Sequence, residues 1–256
     1  MLKINMLIRS SLILCFSVLF SPLVWAAEPD PLNSPQWEFV HQRFLKGEPY
    51  QFDGKVKVEA PSDAEDSLNV PIAFQVDGLE GVQEIVVVAD LNPIPQVLRF
   101  RPIAMRPHLG FRMKLQQGSP IHVAAKTADG LWHVGGVWVN AAGGGCTLPS
   151  MGTASGDWTK TLGQVSAKVW QRPDGSNRLR VRVMHPMDTG LASGIPTFHI
   201  ENLNVLGADG KVLAELDLFE PISENPMLSF DVSKQTQFKL EGRDNNGNKI
   251  QAEVTP

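Results

Sequence analysis

The stretch LGFRMKLQ at residues 109–116 alternates apolar and polar side chains with a period of two. Such alternation predicts a β-strand that buries one face and exposes the other. The same alternation precedes it at 70–76 and follows it at 121–125, while 85–89 is a continuous apolar strand that we place centrally. About seven short strands with turns between them, and no helical pattern, predict an antiparallel β-sandwich over residues 51–142.

A second series of alternating strands begins at Val165 and continues to Val254. Its turn signals are Pro173-Asp174-Gly175, Asp209-Gly210 and Asn246-Gly247. This series predicts a second sandwich of about seven strands over residues 161–256. Neither half has the Cys…Trp…Cys core of true immunoglobulins. We therefore predict an all-β fold of two immunoglobulin-like antiparallel β-sandwiches in tandem.

One short helix is predicted before the first sandwich, within residues 27–50. Ser34 can cap it, Pro35 suits its first turn and Gly47 can end it. The apolar face of this helix consists of Trp37, Val40 and Phe44, which recur at helical spacing. We interpret the segment as a helix that packs on a domain, without a binding role.

Residues 1–26 have the three parts of a secretory signal peptide. The basic, apolar and cleavage regions are Lys3 with Arg9, Ser11–Val24, and Val24-Trp25-Ala26. We expect export, cleavage after Ala26 and no membrane contact of the mature chain. The alternative is a membrane anchor, but the uncharged run is short for a span and no basic stop-transfer cluster follows it.

The charge balance argues against two classes of partner. The chain has 23 Lys and Arg residues and 27 Asp and Glu residues, which gives a net charge of −4. Loss of Lys3 and Arg9 with the signal makes the net charge −6. We do not expect a protein this acidic to bind nucleic acid or an anionic membrane surface.

The composition changes between the two predicted sandwiches. Ala141–Asp157 is rich in Gly, Ser, Thr and Pro, so we predict a linker there, with a glycine-rich cysteine arm over residues 143–160. The flexible residues of this arm are Gly143, Gly144 and Gly145. Glycine gives the chain reach and little steric cover. We therefore expect the thiol of Cys146 to be exposed, with nothing nearby to bury it.

Cys146 is one of two cysteines, and the other, Cys15, lies in the predicted signal peptide. A lone thiol in an exported protein cannot form an internal disulfide, so it stays free, pairs with another molecule or carries a bound group. We predict that Cys146 carries a group covalently. The alternative is an inert surface thiol, which an exported protein seldom keeps because it oxidises or cross-links.

Other signals for catalysis, cofactors and metals are weak. The glycine run lacks the spacing of a phosphate loop, and no Cys-x-x-Cys-His motif for haem is present. His122 and His133 flank a predicted hairpin and could face each other, but two histidines make a poor metal site. His185 could act as a base for Cys146, yet a flexible arm does not hold a thiol to catalytic tolerance. We expect no enzyme activity, no metal and no cofactor other than a covalent sulfur adduct on Cys146.

The second predicted sandwich contains MHPMDTG at residues 184–190, at a strand end. This segment resembles the His-Pro-Met-Glu-Thr-Gly segment of SoxZ proteins. IPTFHI at 195–200 and ENPMLSF at 224–230 match the order and spacing of the same family. We interpret the first of these turns as a structural corner or as a contact with a partner protein. The residues concerned are His185, Pro186 and Met187.

The first predicted sandwich is similar to SoxY, through KVKV at 55–58, DLNPIP at 90–95 and the GGGC at 143–146 that ends it. The two resemblances imply a SoxY–SoxZ fusion of the quinoprotein dehydrogenase-associated, SoxYZ-like carrier type. In that family SoxY and SoxZ are separate chains that pair in the periplasmic thiosulfate-oxidising system. The SoxY cysteine carries sulfur intermediates between enzymes.

The resemblance therefore implies a periplasmic sulfur carrier with Cys146 as the covalent site and enzymes of sulfur oxidation as partners. Fusions of this kind are associated with quinoprotein dehydrogenases. A second hypothesis follows, in which the chain is an accessory docking module of a periplasmic quinoprotein alcohol dehydrogenase system and Cys146 is dispensable. Loss of Cys146 separates the two hypotheses, because it abolishes a carrier and leaves a docking module intact.

The chain departs from the family pattern at the cysteine itself. Cys146 lies between the two predicted sandwiches rather than at a free C-terminus, and Thr147-Leu148-Pro149 replaces the trailing glycines. An arm tethered at both ends reaches less far, and Pro149 stiffens its far side. Delivery into a deep enzyme tunnel is therefore in question.

Overall fold

The computed structural model describes residues 29–152, 157–232 and 235–255, and most of its regular structure is strand. The all-β prediction, with two immunoglobulin-like sandwiches in tandem and a short N-terminal helix, is confirmed. The predicted signal peptide at 1–26 lies outside the described residues. No helix in the described part of the chain has the length and apolar character needed to cross a membrane.

The chain forms two halves, residues 50–141 and 165–254, after a helix α1 at Trp37–Phe44. The strands of the first half are β1 Tyr50–Phe52, β2 Val56–Glu59, β3 Asp63–Ala64, β4 Val70–Val76, β5 Val82–Ala89, β6 Gln96–Arg101, β7 His108–Met113, β8 Ser119–Thr127 and β9 Trp132–Ala141. The strands of the second half are β10 Val165–Gln171, β11 Asn177–Val183, β12 Ile200–Gly207, β13 Val212–Leu218, β14 Met227–Val232, β15 Phe238–Asp244 and β16 Lys249–Val254.

Two sheets pack face to face, and both continue from one half into the other. In the described residues the larger sheet has the strand order β1-β9-β8-β5-β6-β13-β12-β15-β16, with β3 also paired to β9. The smaller sheet has the order β10-β11-β14-β7-β4-β2. The strand β5 lies between β8 and β6, so the central position predicted for 85–89 is confirmed.

The halves meet through one strand pair in each sheet. In the larger sheet β6 pairs with β13, with Leu98 opposite Leu218. In the smaller sheet β7 pairs with β14, with Leu109 opposite Phe230. Each pair covers a strand edge that an isolated sandwich would expose. Both sheets run through the junction between the halves. The predicted domain boundaries at residues 142 and 160 stay a prediction.

A single large cluster of buried apolar side chains fills the space between the sheets in both halves. It extends from Phe74 through Phe100 to Phe230, with neighbouring ring centroids 6.2–6.3 Å apart. A smaller cluster lies on the outer face of the larger sheet, where α1 covers it. Trp37 and Val40 of α1 are buried there, as the helical spacing predicted.

The N-terminal end of α1 differs from the prediction. The helix begins at Trp37, after Gln36, and no side chain caps its N-terminus. Ser34 instead accepts a hydrogen bond from the Gln36 N–H at 3.2 Å and donates its hydroxyl to Asp90 at 2.5 Å. Its role is therefore to attach the segment before α1 to the sandwich. Gly47, at φ +65°, follows the helix end as predicted.

Candidate functional site

Residues 143–152 follow β9, and from here on this shorter segment is called the arm. It lies along the first half and is hydrogen-bonded to it. The Gly143 N–H donates to the Ser67 hydroxyl at 3.3 Å. The Gly145 N–H donates to the Leu115 carbonyl at 3.1 Å. The arm is therefore docked on the protein rather than extended into solvent.

The glycines of the arm are required by this docked path. Gly143 and Gly144 have φ values of +105° and +85°, which residues with a side chain rarely adopt. Gly145 passes so close to the backbone that a Cβ there would lie 2.2 Å from the Ser67 carbonyl oxygen. The glycine run was predicted to provide mobility, but in the structure it permits close approach.

Cys146 has no exposed surface. Its Sγ lies 3.9 Å from the Lys114 carbonyl oxygen, and its N–H donates to Gln116 Oε1 at 3.2 Å. The expectation of an exposed thiol with nothing near it was wrong, because contacts with both halves enclose the cysteine. Burial raises the pKa of the Cys146 thiol to about 11, against a smaller opposing effect of the Lys114 charge.

Three side chains of the second half hold the arm near Cys146, and together they are here called the latch. Thr189 donates its hydroxyl to the Cys146 carbonyl at 2.5 Å. Asp188 accepts the Ser150 N–H at 2.8 Å. Glu224 accepts the backbone N–H groups of the next two arm residues at 2.7 and 2.8 Å. Asp188 and Thr189 belong to the MHPMDTG segment, and Glu224 begins ENPMLSF.

Lys114, which follows β7 in the first half, connects the two halves close to the arm. Its side chain is buried, and Nζ donates to the backbone carbonyls of Met187 and Glu220. Burial lowers the pKa of Lys114 to about 8, although the acidic groups around it, Cys146 first, oppose that shift. The sequence pattern missed Lys114, since it occupies a polar position in the alternation and was expected to face solvent.

The three candidate partner-contact residues are inside the protein. His185, Pro186 and Met187 are all buried. His185 Nδ1 accepts the Met187 N–H at 3.1 Å, and its Nε2 lies 3.5 Å from Asp244 Oδ2. Burial lowers the pKa of His185 to about 4. This arrangement is that of a structural corner, and a partner contact through these residues stays a prediction that requires the segment to move.

His122 and His133 do not form a joint site. His122 is bonded on both ring nitrogens, by Asp30 and Asp90, each at 3.0 Å. His133 is bonded to Asp53 at 2.8 Å. No cluster of three or more His, Cys, Asp or Glu side chains able to hold a metal is found in 29–152, 157–232 and 235–255.

The chemistry available at the site is that of one enclosed thiol. At neutral pH a thiol with a pKa of about 11 is almost entirely protonated, and the thiolate is the form that reacts. In the described residues His185 makes no hydrogen bond to Cys146 and instead bonds within its own turn. Among the described residues, Cys146 is therefore an enclosed, protonated thiol without a hydrogen-bonded base.

Comparison with known families divides the chain in two. Residues 41–146 match the family model described as "Sulfur oxidation protein SoxY". Residues 167–255 match the model described as "Sulphur oxidation protein SoxZ". The whole sequence found no match among curated proteins.

Among solved structures, the chain is similar to "the sulfur carrier protein SoxY from Chlorobium limicola f thiosulfatophilum". The two share 19% sequence identity with a TM-score of 0.38, and the match covers 42% of this chain and 96% of that one.

Proposed function

Because the chain belongs to the SoxY and SoxZ families at once, as a SoxY–SoxZ fusion, we propose that it is a periplasmic carrier that binds a sulfur-containing group covalently on Cys146. The family assignment makes it a sulfur-oxidation carrier. The covalent site, the cargo and the compartment are the parts that we propose.

One observation supports Cys146 as the covalent site. The SoxY match ends at residue 146, so the family's own boundary coincides with the free thiol. Cys146 is therefore the last residue of the SoxY match, and the SoxZ match begins only at residue 167. Sequence 1–26 supports the periplasm, since it has the basic, apolar and cleavage regions of a signal peptide.

The site supports carriage rather than catalysis. A nucleophilic enzyme needs a base within hydrogen-bond reach of its thiol, and a lowered thiol pKa. The buried Cys146 has a raised pKa, and its Sγ lies 3.9 Å from the backbone carbonyl oxygen of Lys114. A carrier needs only a thiol that becomes accessible to its partner enzymes, which in this family are enzymes of sulfur oxidation.

The burial of Cys146 favours one second candidate function. A thiol with no exposed surface can be dispensable, and the paired sandwiches can then act as an accessory module that docks on another protein. In this alternative the partner is a periplasmic quinoprotein alcohol dehydrogenase.

The test is the intact mass of the protein purified from the periplasm of its source organism. We expect a mass increase on Cys146 that a reducing agent removes, and Cys146→Ser should abolish both that increase and the physiological role. The serine variant keeps nearly the same shape, so its loss of function does not reflect unfolding. An unmodified thiol together with a fully functional serine variant would leave the accessory module as the function.

A further inference from the structure

The protein encloses the Cys146 side chain completely. A side chain with no exposed surface has no space beside it for a sphere the size of water. One further sulfur atom is larger than water, so a bound group does not fit beside Cys146 without displacement of its neighbours. The empty and the loaded arm therefore cannot occupy the same docked position.

Displacement of the arm by a bound group would also break the contacts that the arm makes with the second half. Thr189 is bonded to the carbonyl of Cys146 itself. Asp188 and Glu224 are bonded to the arm beyond it, and both are carboxylates that accept backbone N–H groups. Hydrogen bonds to charged groups are stronger than neutral ones. The latch thus bonds the second half to the arm at Cys146 and at the residues that follow it.

The buried thiol is also unreactive. The pKa of Cys146 in the docked arm is about 11, so only a small share of the thiol is ionised at neutral pH. Reaction at Cys146 consequently requires the arm to leave its docked position, where solvent restores an ordinary thiol pKa. The opening equilibrium then sets the rate at which any reagent or enzyme modifies the sulfur.

We infer that the latch controls access to the carrier thiol. Its three side chains in the SoxZ half, Asp188, Thr189 and Glu224, close the arm over empty Cys146, and a group bound to the sulfur holds the arm open. This inference rests on the proposed carrier function and adds its regulation. The empty carrier opens only transiently, when it is loaded, and is otherwise protected from oxidation and cross-linking, whereas the loaded carrier keeps its arm open to a partner.

The first experiment measures how fast iodoacetamide alkylates Cys146 at pH 8, by mass spectrometry of the Cys146 peptide. We expect the folded protein to react at least ~100-fold more slowly than the protein unfolded in denaturant, since a factor of ten corresponds to 1.4 kcal/mol of closure. Equal rates would mean that the arm is open and would overturn the inference.

Thr189→Val identifies the second half as the cause of that protection. It keeps the side-chain shape and removes the bond to the Cys146 carbonyl, so alkylation should be about tenfold faster than in the wild type. Thr127→Val is the matched control, because Thr127 donates to Asp129 and Leu131 within a turn of the first half. Its alkylation rate should equal that of the wild type. Equal effects of the two substitutions would remove the latch role.

The second experiment loads the thiol and observes the arm. Methyl methanethiolsulfonate converts the Cys146 thiolate to Cys–S–S–CH3 and releases methanesulfinate, so it adds one sulfur and one methyl group. Hydrogen exchange of residues 143–152 should become at least ~10-fold faster in the adduct, and dithiothreitol should restore the slow exchange. Cys146→Ser treated with the same reagent should keep slow exchange. Unchanged exchange in the adduct would show that the docked arm accommodates cargo.

These outcomes are independent of the natural cargo. If the latch opens and closes as described while the native protein has no adduct, then the carrier function fails and the latch stands. If the native protein has an adduct and the arm exchanges at one rate in both states, then the latch fails and the carrier stands.

Discussion

Phe100 of the first half and Phe230 of the second half lie in contact, with ring centroids 6.2 Å apart and an angle of 53° between the rings. Both side chains are completely buried. The contact lies where β6 pairs with β13 and β7 with β14, so the sheets and the core cross the junction together. The two families that the chain combines therefore share one hydrophobic core.

Phe230→Ala should destabilise the whole protein in one step. Removal of a fully buried phenyl ring costs about 3–5 kcal/mol, and a shared core predicts that both halves unfold in the same transition. Urea unfolding followed by circular dichroism and by tryptophan fluorescence should give coincident curves, shifted equally by the substitution. Phe39→Ala is the control, since Phe39 is half exposed on α1. Two separate transitions, of which only one shifts, would contradict a shared core.

A second connection between the halves is ionic. Asp231 of β14 is bonded to His108 of β7 at 3.2 Å and to Arg178 and Arg172 at 2.9 and 2.5 Å. Burial alone would raise the pKa of Asp231, but these partners outweigh it and hold the pKa far below the ordinary 3.8. The unfolded chain thus takes up this proton first as the pH falls. The stability that Asp231 contributes is present above pH 3.8 and is lost as the pH falls towards its folded-state pKa.

Asp231→Asn should therefore lower the free energy of unfolding by about 3 kcal/mol at pH 7, because it removes a buried carboxylate from two partly exposed arginines that it holds. The difference from the wild type should shrink as the pH falls below 4. Urea unfolding at pH 7 and at pH 3 measures both effects. Asp209→Asn is the matched control, since Asp209 pairs only with an exposed lysine. A difference between Asp231→Asn and the wild type that is the same at both pH values would contradict the ionic explanation.

Asp30, before α1, is attached to the first half through a titratable group, His122. Burial alone would lower the pKa of His122, but hydrogen bonds to Asp30 and Asp90 and their negative charges raise it to about 9. The folded protein keeps a proton that the unfolded chain releases near pH 6.5. The stability from His122 is therefore full below pH 6.5 and is lost as the pH rises through 9.

The wild type should consequently lose about 3 kcal/mol of stability between pH 6.5 and 9, at about 1.4 kcal/mol for each unit of pKa shift. His122→Gln should be less stable at pH 6 and should lack this pH dependence. His41→Gln, whose ring bonds a backbone carbonyl in the described structure, should keep the wild-type slope. Unfolding midpoints at half-unit pH steps provide the measurement, and parallel curves for wild type and His122→Gln would refute the assignment.

The sequence predicted the strands because alternation depends on the residues of one strand. It could not predict which strands pair across the halves, since paired residues such as Leu98 and Leu218 lie far apart in the chain. The same limit applies to the site. The glycine run and the thiol are local signals, whereas enclosure of Cys146 depends on Thr189, 43 residues later. Lys114 was missed because its polar position in the alternation gives no sign of burial.

The glycine run gives the last prediction. Gly145 was interpreted as a source of mobility, but a Cβ at this position would lie 2.2 Å from the Ser67 carbonyl oxygen and 2.6 Å from that of Leu115. Both atoms belong to the backbone, which cannot move aside as a flexible side chain can. Gly145→Ala should therefore displace the arm, whereas a mobile linker would tolerate alanine.

We expect Gly145→Ala to raise the rate of Cys146 alkylation at least ~10-fold, since the docked arm loses about 1.4 kcal/mol or more. The free energy of global unfolding should fall by only about 1–3 kcal/mol, as for other overpacked sites. Gly54→Ala is the matched control, because a Cβ there meets nothing within 4 Å. Gly144→Ala separates the two glycine effects, since its φ of +85° strains the backbone while the space beside it is open. If Gly145→Ala alkylates at the wild-type rate, the close approach at Gly145 does not hold the arm, and the glycines act through flexibility after all.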